Sequence, residues 1–374
     1  MRKFYSLFAI AAIAAFGFTS CDDNDDAPVL VPVETSEGAF VVCGGNMGGK
    51  IDGSLTYFDY ANGTATQNAY KAANGESLGG TVNDAIVYGS KIYIVGSDEK
   101  TVFVANKNTL KSVAKIKAEV NGEAATPRHA AAHDGKVYVT TFNNAVIAID
   151  TLTNTIADTY ECGNYSEGIA IHNGAIYTAD SNYGSGVPGT SITRIDLKSG
   201  KSTVIVQDKL SNPVDVKFVQ GLMFVLDSGS YDENWNQSGQ GVYVVSNDEI
   251  EKIVDATEMA VDVNDNKIYT INAPYTYPST APSYSVTKLS KGSFDTTKFC
   301  DGKEIEYPGK ISVDPVKGNV FITSYVMGAS GYADYKAPGY CTIYSTSGAY
   351  QGKFDCNVGA GYVIPNTVTT YVQK

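Results

Sequence analysis

The stretch His133–Asp150, HDGKVYVTTFNNAVIAID, decides the fold. A polar turn, Asp134-Gly135-Lys136, leads into the alternating run Val137–Thr141. A second turn at Asn143-Asn144 leads into another run, Ala145–Asp150. Period-2 alternation, β-branched and aromatic residues and Asn/Gly/Asp punctuation predict a β-hairpin. The same unit recurs. SKIYIVGSDEKTVFVANKNT precedes it, and AIYTAD, LMFVLD, KIYTIN and NVFITS follow it. A spacing of roughly forty to fifty residues with one strand–turn–strand core predicts a propeller-type repeat.

Aligned on the aromatic of the second strand, the repeats give Phe40, Tyr93, Tyr138, Tyr177, Phe224, Tyr269 and Phe321. Each aromatic is preceded by an innermost strand and followed by a third and a fourth, as in the four-stranded units of a propeller. The first repeat starts at Ala39 and lacks an innermost strand. A lone β-rich segment, Tyr362–Val372, follows the seventh unit and is expected to supply it, closing the ring and removing exposed edges. The expectation is therefore an all-β, seven-bladed propeller without helices of useful length beyond the N-terminal signal.

The N-terminus reads as a signal. Arg2-Lys3 forms the positive region, Phe4–Phe18 the apolar one, and Phe18-Thr19-Ser20-Cys21 resembles a bacterial lipobox, with Cys21 as the lipidated residue. Asp22-Asp23-Asn24-Asp25-Asp26, followed by Pro28 and Pro32, reads as an acidic leash with nothing to bury. The predicted division is 1–20 signal peptide, 21–37 lipidated tether and 38–374 propeller. No later run approaches membrane-spanning length, so membrane attachment is expected through the lipid anchor alone. The formal charge is −12, and loss of Arg2 and Lys3 with the signal makes it −14. So acidic a surface disfavours nucleic acid as a partner.

Cys43, Cys162, Cys300, Cys341 and Cys356 form neither a C-x-x-C metal site nor a regular disulfide framework. Cys341 and Cys356 flank a hairpin turn and are placed diagonally opposite on neighbouring strands, where a disulfide is allowed; the others read as small buried hydrophobes. Of the three histidines, His133 and His172 precede the aromatic by the same five residues and are expected in turns on the short-turn face, apart from one another. No G-x-S-x-G, H-E-x-x-H or Walker-type sequence occurs, so neither catalysis nor a cofactor is expected. The loop pair Asp232-Glu233 reads as ordinary acidic surface rather than a metal site.

In a propeller the loop from second to third strand shares one face with the loop entering each innermost strand. In blades two and three that loop is tight; in blades four to seven it is long and aromatic. It carries Tyr183 in blade four, Tyr231 and Trp235 in blade five, and Tyr275, Tyr277 and Tyr284 in blade six. Blade seven adds Tyr325, Met327, Tyr332, Tyr335 and Tyr340. Tyrosine and tryptophan present a flat apolar face with a polar tip and lose little entropy on ordering. At the channel mouth the same face is expected to receive Asn83, Arg128, Glu167, Glu258 and Tyr307, about ten residues before each aromatic. An aromatic rim beside mixed donors and acceptors suits a large amphipathic ligand, such as a sugar or a corrinoid, better than a metal ion.

Ala39–Val42, Gly53–Asp59, Lys71–Gly79, Lys91–Val95 and Pro127-Arg128 resemble the YncE-like propeller family of Bacteroidetes surface lipoproteins. The acidic run after Cys21 likewise resembles the surface-export signal of such lipoproteins. BtuG-type members capture cobalamin and pass it to a TonB-dependent outer-membrane transporter. The resemblance implies a lipid-anchored outer-membrane protein exposed at the cell surface, with a corrinoid as ligand and such a transporter as partner. Cys43-Gly44-Gly45-Asn46 departs from the Asn-Glu-Gly-Asn-like stretch of many members. A glycan-binding accessory protein of a polysaccharide-uptake system and a protein-interaction scaffold are the alternative readings; a propeller hydrolase or oxidoreductase is the weakest.

Overall fold

The computed structural model describes residues 30–373 apart from 183–186, 188, 207–209, 247–248 and 330. The chain is an all-β propeller built, among these residues, from seven four-stranded antiparallel sheets. Sheet one combines the C-terminal strand Ala360–Gln373 with Leu30–Cys43 and the two strands after it, so the closing strand lies where the missing innermost strand was expected. Sheets two to seven begin with the innermost strands Val82–Tyr88, Pro127–His133, Ser166–His172, Pro213–Val219, Glu258–Asp262 and Tyr307–Asp314, each paired with the next strand in sequence. The body is Glu34–Val368. The described chain ends, 30–33 and 369–373, form a separate small unit in which the Thr370 hydroxyl donates to the Val33 carbonyl at 3.3 Å.

The opening hairpin shows why the repeat folds as it does. His133 pairs with Lys136 across Asp134 (φ 44°) and Gly135 (φ 75°), a two-residue turn with both φ positive. Such a turn matches the right-handed twist of the flanking strands. Asn173-Gly174 and Gln220-Gly221 repeat it in sheets four and five. Tyr138 then lies opposite Ala131 on one side and Ala148 on the other.

All seven second-strand aromatics occupy second strands, and all but the half-buried Tyr177 are buried. Each packs outward from its sheet against a neighbouring one. Tyr93 of sheet two meets Val137, Val139 and Ile147 of sheet three. Tyr269 of sheet six meets Ile311 and Ile322 of sheet seven. Phe321 of sheet seven shares a cluster with Ala39, Val41 and Cys43 of sheet one, and Phe58 stacks on Phe354 at 4.2 Å across the same boundary. Fully burying one such ring contributes about 3 kcal/mol. The hydrophobic clusters therefore link each sheet to the next and the last to the first.

Two expectations are corrected. The first strand starts at Leu30, inside the segment read as tether. A helix, Ala69–Asn74, follows sheet one and buries Ala69 and Tyr70; at six residues it is too short to leave a periodic signal. All five described cysteines are free thiols. Cys341 lies opposite Phe354, which puts Cys356 on the diagonal, as expected, and the allowed disulfide is not formed. Burial raises the Cys43 thiol to about 11 and the Cys162 thiol to about 12, so both behave as inert apolar groups.

Candidate functional site

The innermost strands do not run regularly into their sheets. Their register shifts between Val82 and Asp84, Pro127 and Ala130, Ser166 and Ile169, Pro213 and Asp215, and Pro308 and Ile311. Three of these irregularities start at a proline, which has no N–H to donate to a ladder. Such bulges re-aim side chains at the rims of barrels and propellers. Here the re-aimed residues include Asn83, Arg128, His129, Glu167, Val214 and Lys310, and all six line one cavity of about 260 Å³ at the centre of the ring. Tyr362 of the closing strand completes its wall.

The lining is a set of matched charges. Arg128 forks onto Glu167 (Nε to Oε2 2.9 Å, a terminal nitrogen to Oε1 3.2 Å) and donates to Asn83 Oδ1 at 2.8 Å. Its guanidinium lies 4.4 Å from the centre of the Phe142 ring. His129 Nδ1 is 3.3 Å from Asp84 Oδ2, and its other ring nitrogen is 3.7 Å from Glu167. Lys310 donates to Glu258 Oε1 at 2.7 Å and lies 5.1 Å from the Tyr362 ring centre, while Lys217 pairs with Asp215 Oδ1 at 2.7 Å. Burial raises the Glu258 carboxyl above the usual carboxylate range, with Lys310 opposing. Burial also pulls against the Lys310 ammonium, but Glu258 and Tyr362 outweigh it, and the lysine stays charged.

Beside this mouth lies a second pocket of about 240 Å³, which shares Ser228, Thr257 and Glu258 with the first. Its outer wall is aromatic: Tyr231, Tyr275 and Tyr307. The loops that supply the first two are tied together. Gln237 N–H donates to the Tyr275 carbonyl at 2.7 Å, Tyr275 N–H to Gln237 Oε1 at 3.1 Å, and Tyr277 N–H to Asn236 Oδ1 at 2.7 Å. Asp232 organises its own turn by accepting from the Asn234 and Asn236 N–H groups, both at 2.8 Å. On the sheet-seven side Tyr307, Tyr325 and Tyr335 form an edge-to-face trio with ring centres 4.9 to 6.4 Å apart. Asn46 of the sheet-one loop donates to the Tyr335 carbonyl at 2.9 Å, pinning that trio from the other side.

The sequence-predicted residues divide clearly. Asn83, Arg128, Glu167 and Glu258 share the central cavity, and Tyr231, Tyr275 and Tyr307 line the adjoining pocket. Trp235 is 70% exposed and lies 6.4 Å from the Tyr231 ring; Tyr277 and Tyr332 are also exposed, and Tyr335, with half its surface exposed, belongs to the trio of which only Tyr307 lines the pocket. Tyr325 is half-buried behind Tyr335. Tyr183 and Cys21 lie outside the described residues. Tyr284 and Tyr340, read as loop aromatics, are instead buried: their strands start earlier than expected, at Ser283 and Pro338, and alternation turns both rings inward.

Asp215, Lys310 and Tyr362 were missed. The residue facing the channel lies two before the one paired with the second-strand aromatic. That pairing (Ile86 with Tyr93, Lys217 with Phe224, Ser312 with Phe321) gives Asp84, Asp215 and Lys310. Lys310 stands eleven residues before Phe321, the same spacing as Glu258 before Tyr269, so the count that gives Glu258 gives Lys310 rather than Tyr307, which stands fourteen before. His172 is on the short-turn side as expected, stacked on Phe218 at 4.3 Å, and burial lowers its pKa.

Residues 37–129 match a family model described as a domain of unknown function (DUF5074). That span takes in the sheet-one strands from residue 37 on other than the closing one, all of sheet two and the start of sheet three. No curated protein matches the chain. Among solved structures, hydrazine synthase of Kuenenia stuttgartiensis is similar over 88% of this chain and 99% of its own, with a TM-score of 0.51 at 14% identity. The likeness is one of fold. The WD40 propeller domain of Doa1 aligns over 47% of this chain and 54% of its own, with a TM-score of 0.37 at 18% identity.

Proposed function

We propose that this chain is a non-catalytic capture protein, lipid-anchored at Cys21 on the outer-membrane surface. It binds a corrinoid on the loop face of sheets five to seven and passes it to a TonB-dependent transporter. The observation that carries the binding reading is the pre-formed pocket walled by Tyr231, Tyr275 and Tyr307, continuous with a polar cavity and built on loops already hydrogen-bonded to each other. A pre-ordered aromatic wall loses little entropy when a flat ligand settles on it. The corrinoid and the transporter come from the family resemblance; the anchor comes from the lipobox-like stretch that ends at Cys21.

Trp235, the only tryptophan, lies beside that pocket and reports on it. Titration with cyanocobalamin should quench its fluorescence saturably at micromolar protein or below. A flat titration, matched by no heat in calorimetry, overturns the corrinoid. Trp235 and Tyr277 also present exposed rings of the kind that stack on sugars, which supports the glycan-binding alternative. Binding on a glycan array without response to cyanocobalamin would select it.

A further inference from the structure

We infer that the central cavity takes a neutral carboxamide arm of the ligand whose flat body lies on the neighbouring aromatic wall, and that it discriminates against a carboxylate at that position. The inference rests on the capture reading above and adds what the second half of the site selects.

The two pockets are one site in two chemical parts, joined at Ser228, Thr257 and Glu258. One part is aromatic and open at the face. The other is ringed by ionic side chains, each already committed. Arg128 is spent on Glu167, Asn83 and the Phe142 ring. Asp215 is held by Lys217, which stands outside this cavity. An incoming anion would have to break one of these pairs and would face Glu167, Asp215 and Glu258 at short range; an incoming cation would compete with ammonium and guanidinium groups already in place. Neither gains a free counter-charge.

What the lining still offers is hydrogen-bonding capacity of both kinds, side by side. Glu258 holds Lys310 with Oε1, and Asp215 uses Oδ1 for Lys217 and the Val216 N–H. Glu258 Oε2 and Asp215 Oδ2 accept no further hydrogen bond among the described residues. An ammonium has three donors; Lys310 directs one at Glu258 and one towards Tyr362, which leaves one for a ligand. A group that donates to a carboxylate oxygen and accepts from the adjacent ammonium satisfies both without disturbing the ion pair. A primary carboxamide does this with its NH₂ and C=O. A carboxylate keeps the acceptor, loses the donor and adds a negative charge beside Glu258. The cavity, at about 260 Å³, has room for such a side arm and not for a macrocycle. A corrinoid carries carboxamides around its rim, so one of them can enter while the ring stays on the tyrosines.

The test compares cyanocobalamin with its separated monocarboxylates, in each of which one propionamide has been hydrolysed, by calorimetry on the full mature chain. One monocarboxylate should bind at least about tenfold more weakly, because a site built to hydrogen-bond a group rejects the analogue that lacks the donor. Glu258→Gln removes the repelling charge and leaves Lys310 unpaired, and should shrink that discrimination to within about threefold or reverse it. Tyr275→Ala should weaken every analogue alike. Cyanocobalamin and all monocarboxylates binding equally tightly overturns the arm assignment while leaving capture intact, as does discrimination unchanged in a folded Glu258→Gln. A wild type that binds no corrinoid overturns the capture reading and this assignment with it.

Discussion

Sheets two and three and sheets five and six use the same loop, between second and third strands, for opposite ends. In sheet two the short loop contributes Asp98, whose carboxylate accepts from the Thr81 N–H at 2.9 Å and its hydroxyl at 2.8 Å. In sheet three Asn143 accepts from the Thr126 N–H at 2.9 Å. Thr81 and Thr126 each stand just before an innermost strand, so the plain loops are consumed in capping the entry to the channel wall. In sheet five that duty falls on Asp227, the last residue of the second strand, which takes the Ser211 and Asn212 N–H groups and also Gly229 at 2.6 Å. The strand end anchors the inner strand and the loop root together. Tyr231, Trp235 and their neighbours are thereby free to face solvent.

This division of labour separates stability from binding. Replacing Tyr231, Trp235 and Tyr275 together by alanine should cost the most, lowering cyanocobalamin affinity by about a hundredfold or more, since each exposed anchor is worth about 1–2 kcal/mol. The melting temperature should move by no more than about 2 °C, because no core cluster contains these rings. An equal loss of stability would mean that the rim is packing rather than site.

Next in size is Asp227→Ala. Asp227 is 1% exposed and its pKa is raised by burial, with the three N–H donors working against the rise. Its removal strands those donors at the loop root and should destabilise by about 2–3 kcal/mol, read from urea unfolding. Unlike the rim variant, which leaves stability nearly unchanged, it should lower stability and binding together, because the loop that carries Tyr231 starts there.

The repeat was legible because its signals are local: alternation, a two-residue turn with Gly, and one large ring on each second strand. The same register placed Arg128 and Glu167 at the mouth. The anchoring acids of sheets four and five were in plain view too, since AIYTAD and LMFVLD end in Asp180 and Asp227, whereas the counterparts before the tight loops are Gly96 and Thr141; KIYTIN and NVFITS end in Asn272 and Ser324, so sheets six and seven do not share the device. Tyr362 was not legible as a channel residue. It sits on the closing strand, whose partner aromatic is at the other end of the chain. Nor could Tyr284 and Tyr340 be told from rim tyrosines, because a strand start displaced by a few residues decides which way a ring points.

Asp180 gives a finer test of the same rule through pH. Its carboxylate is buried and held by four hydroxyls, from Ser166, Thr178, Ser191 and Thr193, and burial nonetheless raises its pKa. A carboxyl with a raised folded pKa binds its proton more readily in the folded than in the unfolded chain. Its stabilising contribution is therefore fully present below the unfolded value and is lost as pH rises through the folded one. Thermal melts of wild type and Asp180→Asn across that window should show the wild type gaining on the variant as pH falls. A constant gap would mean that the folded and unfolded values coincide, and a wild type losing ground as pH falls that the hydroxyls hold the carboxylate ionised.

The smallest effect belongs to the plain side. Asn143→Ala deletes one acceptor for the Thr126 N–H and leaves Phe142, on which Arg128 rests, in place. The Thr126 N–H is near the surface and can turn to water, so the loss should be about 1 kcal/mol. Thr126 stands two residues before Arg128, yet the Pro127 carbonyl is fixed independently by the Ser97 hydroxyl at 2.6 Å, and Arg128 itself by Glu167 and Asn83. Cyanocobalamin affinity should therefore stay within about twofold of wild type, within the scatter expected of a surface change. A drop comparable to that of the rim variant would break the contrast, because it would make the tight loop of sheet three part of the site rather than a cap on its wall.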